Sequence, residues 1–507
     1  MESFVPLLPV IPLGASFLIV MVSPVRRLRR LAGPLASASL LVNLVLAVWL
    51  VGAEVESIYV GGWSPQRTLG IELVCDGFAK LMLVTINLIA LVALLFSGPY
   101  MRRFTKVWLF YSLFLLMTAG MNSVVLAGDL FNLFVFLEVA AIASYALVAF
   151  GCESEELEAA FKYLILGTVG SVLILLGVTI LYSLTGHLNM AMVARRLVVA
   201  GAMRPAAALA AVLLIAGLAL KAAMVPFHAW LPDAHPSAPA PISAMLSGVL
   251  IKASGVYALA RIVFNVVGPT TPYAFLLIAL GALSMVVGVF LAVGQWDFKR
   301  LLAYHSISQM GYVVLAIGVA AEIMSRATPN VDVAKLCLFG GLFHLFNHAA
   351  FKSLLFLSSG SIEQQAGTRL LKEMGGLARR MPVTGFCCRV GALSIAGVPP
   401  FNGFFSKLII IIALGMAGHV LLAALAILVA WMTLVSFIKV QRYALEGAPH
   451  AGVSTAREAP AWMCTAMVIL AIICIVAGVA ALPLREHLFT PAGDALLRSA
   501  LTRQPAS

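Results

Sequence analysis

Apolar residues run along this chain in long blocks, and polar residues gather in short connections between them. Windows of about 20 residues, the length a helix needs to cross a bilayer core, pick out about 14 spans. They fall near 4–22, 32–52, 75–98, 106–125, 129–150, 160–183, 207–227, 241–264, 272–294, 301–321, 335–359, 385–417, 420–441 and 461–483. The stretch 107–150 is split at Gly128-Asp129, and 385–417 is too long for one straight span, so a break is expected in it. Short alternating segments of the barrel type are not found, so the pattern predicts an all-α polytopic membrane protein. The longest polar connections, 53–73, 184–206, 360–384 and the tail after about 484, are too short for a nucleotide-binding domain. The tail, with Arg485, Glu486, Arg498 and Arg503, is expected to fray.

Composition agrees. The 507 residues are 62% hydrophobic and 11% charged, whereas soluble domains carry about 25% charged residues. The net charge of +12 points to basic loops on one face of the membrane rather than to nucleic acid, for which no base-reading motif is present. Arg26, Arg27, Arg29 and Arg30, then Arg102, Arg103 and Lys106, Lys299 and Arg300, Arg369, Lys372, Arg379 and Arg380, and Lys439, Arg442 and Arg457 all follow odd-numbered spans. That side is then cytoplasmic and both termini lie outside; Arg195, Arg196 and Arg204 oppose the rule. The first span lacks a basic stretch before it and reads as retained. Seven cysteines, none in a C-x-x-C pair, read as small apolar packers, and neither metal nor cofactor is expected.

Against this apolar background, ionisable residues inside the spans are the chemically informative ones, since each costs roughly 2.5–3.5 kcal/mol at mid-bilayer. They are Glu138, Lys221, Lys252, His344, His348, Lys352 and Lys407. Lys221 lies about one turn before Pro226, and Lys407 follows Pro399-Pro400 and Gly403; proline opens a helix and frees carbonyls that can solvate an ammonium. His344, His348 and Lys352 recur every four residues and share one helical face. Imidazoles can pass protons in either direction near neutral pH. Competing readings are a protonated Glu138 bonded to a neighbouring helix, a snorkelling Lys221, and half a zinc or haem site at the histidines, for which the remaining ligands are missing. Lys162, beside Glu153, Glu155, Glu156 and Glu158, reads equally as an interfacial ion pair. His228, Asp233 and His235 read as a polar loop beside a broken helix, a place for proton uptake. Ala160-Phe161-Lys162 and Ala350-Phe351-Lys352 each open a run that leads to a proline break. This predicts two inverted five-helix repeats, with units at 1–105, 106–265, 266–445 and 446–507.

The runs LKAAMVPFHAWLPDAHPSAPAPISAMLSGVLIKASGVYALAR, DFKRLLAYHSISQMGY and HLFNHAAFKSLLFLSSGSI occur in that order. They resemble the antiporter-like proton-translocating subunits of respiratory complex I, of Mrp-type cation/proton antiporters and of membrane-bound hydrogenases. DLFNLFVFLEVAAIASYALV is most similar to the D-type Mrp subunit. The resemblance implies 14 helices and assigns proton translocation to Glu138, Lys221, Lys252, His344, His348 and Lys407. It also implies partner subunits in a bacterial inner membrane. His305 stands where a small polar residue is expected. The transported ion is then H⁺, with Na⁺ open, and any redox centre lies in partners. Glu138 and Lys221 should pair, and a proton should pass by Lys252, His348 and His344 to Lys407. The rivals are a self-contained solute transporter and a quinone- or haem-binding electron carrier.

Overall fold

The computed structural model describes residues 4–60, 70–200, 205–448, 450–453 and 455–501; Arg204 and Arg503 lie outside them. Helices α1 (Leu7–Val22), α2 (Ala32–Val51), α3 (Gly77–Tyr100) and α4 (Val107–Leu126) form the first bundle. α5 (Leu130–Val148) and α6 (Ser154–Thr185) follow, then α7 (Met190–Ala200), α8 (Pro205–Lys221) and α9 (Leu231–Ser237). Next come α10 (Ala240–Val267), α11 (Thr271–Val293), α12 (Phe298–Met324) and α13 (Val331–Ala366). α14 (Pro382–Ala396), α15 (Asn402–Met416), α16 (Val420–Val440), α17 (Ala461–Val479) and α18 (Thr490–Leu501) complete the chain. Among the described residues, ten helices are long and apolar enough to cross a membrane. The outer faces carry exposed Phe161, Val172, Ile142, Trp431 and Leu421, an apolar perimeter that only lipid or partner protein can cover.

Local chemistry sets the helix ends. Asp129 accepts from Phe131 and Asn132 N–H at 2.8 and 2.9 Å, and Asp297 accepts from Arg300 N–H at 2.9 Å, each meeting donors that a helix start leaves free. Two helices break mid-course, as the prolines predict. After Lys221 the chain leaves helical geometry until Leu231, and the Leu220 carbonyl takes a 3.0 Å hydrogen bond from the Trp230 indole. After Ala396 the chain turns through Gly397 at φ 78°, and the Ile395 carbonyl accepts from Lys407 Nζ at 2.6 Å. At each break one carbonyl freed by the lost helix thus finds a donor within the protein. Glycines let neighbouring helices close up: a Cβ on Gly217 would stand 2.7 Å from the Gly170 carbonyl, and one on Gly255 2.5 Å from Ala222.

Two expectations need correction, those for the tail and for Cys152, and two of the polar connections hold elements of their own. The tail is not frayed over its described part: Leu488, Phe489, Ala492, Leu496 and Leu497 are buried, because α18 is amphipathic and lays this face against α3 and α13. The polar connection 53–73 holds part of an antiparallel hairpin, β1 (Ser57–Tyr59) with β2 (Glu72–Val74). The connection 184–206 holds α7, whose Val193 and Leu197 are buried while Arg195 and Arg196 are exposed. Cys152 is no apolar packer; it is exposed in the acidic turn before α6.

Candidate functional site

The site is a row of charged and polar groups, most of them buried, that leads from α5 to α15. It begins at Glu138 on α5, whose side chain keeps 26% exposure on the perimeter, on the same face as exposed Phe131, Val135 and Ile142. Lys221, at the last helical residue before the first break, is 5% exposed and puts Nζ 3.1 Å from Glu138 Oε1. Ser171 of α6 donates its hydroxyl to the same carboxylate oxygen. The pair expected from the sequence is therefore formed, with a serine the sequence did not single out. Two unit charges this close attract by about 5 kcal/mol at an effective dielectric near 20.

Beyond Lys221 a small cavity lies between the break and α10, lined by Leu137, Tyr163, Lys221, Trp230, Leu250 and Ser254. Lys252 stands on α10, fully buried. Much of α10 is π-helical (Leu246–Leu250, Lys252–Tyr257 and Ile262–Val267). Such widened turns concentrate at functional positions, and here the turn lets Lys252 Nζ reach its own helix's Ser247 carbonyl at 2.5 Å.

From Lys252 a hydrogen-bonded chain crosses to the second half of the molecule. Ser247 Oγ meets Ser306 Oγ of α12 at 2.8 Å. Ser306 Oγ donates to the Leu302 carbonyl at 3.1 Å, and Lys352 Nζ of α13 donates to that same carbonyl. Lys352 thus takes the central place, and two unremarkable serines complete it. His348 follows one turn along α13, buried, and neither ring nitrogen has a partner among the described residues. His344 lies a further turn on, its Nδ1 2.9 Å from Ser406 Oγ. Lys407 is the next residue after Ser406; its Nζ lies 5.3 Å from the ring centre of Tyr312, and that ring lies 5.6 Å from His344. Asn347 and Asn402 exchange hydrogen bonds at 3.1 Å and fasten α13 to α15 beside this point.

The remaining nominated residues lie elsewhere. Lys162 is 47% exposed and pairs with Glu158 at 2.8 Å and Asp233 at 3.1 Å, the interfacial reading. The polar loop does not converge: Asp233 faces Lys162 and Arg300, His228 is half-buried beside Pro226, and His235 is buried between Trp230 and Phe356 with both ring nitrogens unpartnered among the described residues. Three buried polar groups escaped the sequence reading because their partners lie far away in the chain. Lys299 pairs with Glu363 at 2.7 Å. Arg261 grips Asp76 with two nitrogens, at 2.7 and 2.5 Å. Asn87 bonds Asn122 at 3.1 Å and Asn43 at 3.4 Å. Among the described residues, no three histidine, cysteine or carboxylate side chains gather as a metal site.

Comparison with known proteins identifies relatives of the whole chain. The family described as NADH:quinone oxidoreductase/Mrp antiporter, TM, matches residues 127–433. The chain is 39% identical to the N-type membrane subunit of the NADH-quinone oxidoreductase of Desulforudis audaxviator, covering 82% of this chain and 81% of that one. It is 35% identical to the D-type subunit of the Na(+)/H(+) antiporter of Alkalihalophilus pseudofirmus, covering 85% and 84%. Its fold superposes on a chain of the Mrp complex from Dietzia sp. with a TM-score of 0.88 at 27% identity, covering 99% of each.

Proposed function

The chain belongs to the NADH:quinone oxidoreductase/Mrp antiporter membrane family, and from that premise we propose that it is a proton-translocating subunit of a multisubunit membrane complex. The observation that carries this reading is the row Glu138, Lys221, Lys252, Lys352, His348, His344 and Lys407, most of it buried, with serine hydroxyls and unpartnered ring nitrogens between the charges. Buried polar atoms of this kind recruit ordered water, and water, serine and imidazole together form a path for protons. Glu138 acts as the switch. Held at Lys221 it stabilises the ammonium; drawn away, it leaves a desolvated lysine that gives its proton onward.

We further infer that Glu138, on the perimeter, meets a neighbouring subunit, since a carboxylate cannot be left to lipid. Fourteen spans account for the helices when α8 with α9, and α14 with α15, each count as one broken span and the short α7 and α18 are left out of the count. The two breaks and their lysines support two inverted five-helix units at 106–265 and 266–445, flanked by 1–105 and 446–507. The basic loops support a bacterial inner membrane with both termini outside. Among the described residues no carboxylate cage favours Na⁺ transport alongside H⁺.

The test is proton translocation by the whole complex in sealed vesicles. Glu138→Gln and Lys221→Ala should each abolish it while the complex still assembles. Undiminished translocation by either variant would sink the proposal.

A further inference from the structure

His305 is not part of the row just described, yet it is fully buried on α12. Its Nε2 lies 2.8 Å from Ser436 Oγ on α16, and its Nδ1 has no partner among the described residues. One turn further along the same face, Gln309 is also fully buried, with both amide atoms unpartnered among the described residues. Three residues beyond it stands Tyr312, whose ring lies under Lys407 Nζ. In the other direction, three residues after Ser436, stands Lys439, half-buried, its Nζ 2.7 Å from the Val293 carbonyl and 2.6 Å from that of Gln295. Lys439 is 5.0 Å from the ring centre of Trp296, and Lys372 is 4.3 Å from the same ring. This is the basic end of the bundle. Lys352, Lys407 and Lys439 are the charges that act on His305.

Buried amide and imidazole atoms are rarely left without partners, and a line of them asks for an explanation. Packing alone does not supply one: an apolar side chain at 305 or 309 would fill the same space without the desolvation cost.

We propose that His305 is a proton relay between the Lys407 end of the buried row and Ser436 and Lys439 at the basic end of the bundle, with the Gln309 amide orienting the water that brings the proton to Nδ1. An imidazole held by a hydroxyl on one nitrogen and open on the other suits this role. A proton taken at Nδ1 is matched by one released from Nε2 to Ser436 Oγ, which passes its own onward, so no group keeps a net charge after tautomers reset. The second half of the chain then has its own connection to that end, separate from the break at Pro226. This inference rests on the proposed function.

The experiment compares variants in the intact complex reconstituted in sealed vesicles. His305→Gln keeps a polar group for Ser436 but cannot bind and release a proton. It should slow translocation at least about a hundredfold, the lower edge of what a positioned proton-transfer group contributes, with the amount of assembled complex unchanged. His305→Gly should be slowed alike and should recover when imidazole is added, which a merely structural role would not do. A wild-type rate in His305→Gln overturns the relay, and so does a slow His305→Gly that imidazole does not restore. Glu138→Gln is measured in the same vesicles: if it too translocates normally, the proposed function itself has failed, whereas its loss beside a normal His305→Gln removes only the relay.

Discussion

Ser247 and Ser306 meet hydroxyl to hydroxyl at 2.8 Å, and this contact joins the two halves of the buried row. On one side Lys252 holds the Ser247 carbonyl; on the other Lys352 and Ser306 share the carbonyl of Leu302. The two lysine amines are separated by hydroxyl and carbonyl dipoles rather than by hydrocarbon.

If protons cross between the halves here, Ser247→Ala and Ser306→Ala should each slow translocation by about tenfold, a modest share of what proton-transfer groups contribute. The double variant should be little slower than either single one, because both remove the same bridge. Rates measured in vesicles that multiply instead would show two separate routes.

The grip of Arg261 on Asp76 ties α10 to the start of α3. Removing one partner of a buried pair costs about 3–5 kcal/mol, because the other charge is stranded. Asp76→Ala should therefore lower the thermal unfolding midpoint of the purified complex sharply. Replacing both residues with apolar ones should restore much of it. An unchanged midpoint in the single variant would show that the pair is solvated in the assembled protein.

The same region should be sensitive to acid. Burial pushes the Asp76 carboxyl up, but the Arg261 charge and its hydrogen bonds outweigh that, leaving it below the usual carboxylate range. Glu56 is likewise held below its ordinary value, chiefly by its hydrogen bond from Arg498. Groups depressed in the folded state add stability that is complete above the unfolded value, about 4, and lost as pH falls through the folded value. Hydrogen exchange in α18 and the hairpin should thus rise below about pH 4, and Arg498→Ala should remove the Glu56 share of that dependence. Exchange that stays flat with pH would refute the assignment.

Both breaks should resist added bulk. A Cβ at Gly403 would stand 1.8 Å from the Ser394 carbonyl, and one at Gly255 would press on Ala222. Gly403→Ala and Gly255→Ala should each destabilise by about 1–3 kcal/mol, the usual cost of overpacking. Gly14, whose surroundings are open within 4 Å, is the control. Equal unfolding midpoints at all three positions would contradict the packing described.

Much of this protein follows from its sequence alone. The chain is mainly helical, and ten of its described helices are long and apolar enough to cross a membrane, because the bilayer rule is local: about 20 apolar residues must form a helix wherever they lie. The same locality exposed Glu138, Lys221, Lys252, Lys352 and Lys407, since a charge amid hydrocarbon is conspicuous by contrast. The two breaks were legible from Pro226 and Pro399-Pro400, where the backbone itself forbids a helix. Ser171, Ser247 and Ser306 were not legible, because serine is common in membrane helices and becomes informative only beside the residue it meets. Nor was the grip of Arg261 on Asp76, 185 residues apart, or the docking of α18, whose apolar face needs α3 and α13 before it can be buried. Sequence set which groups are charged and where the helices bend; only packing of distant helices decided which of those charges touch.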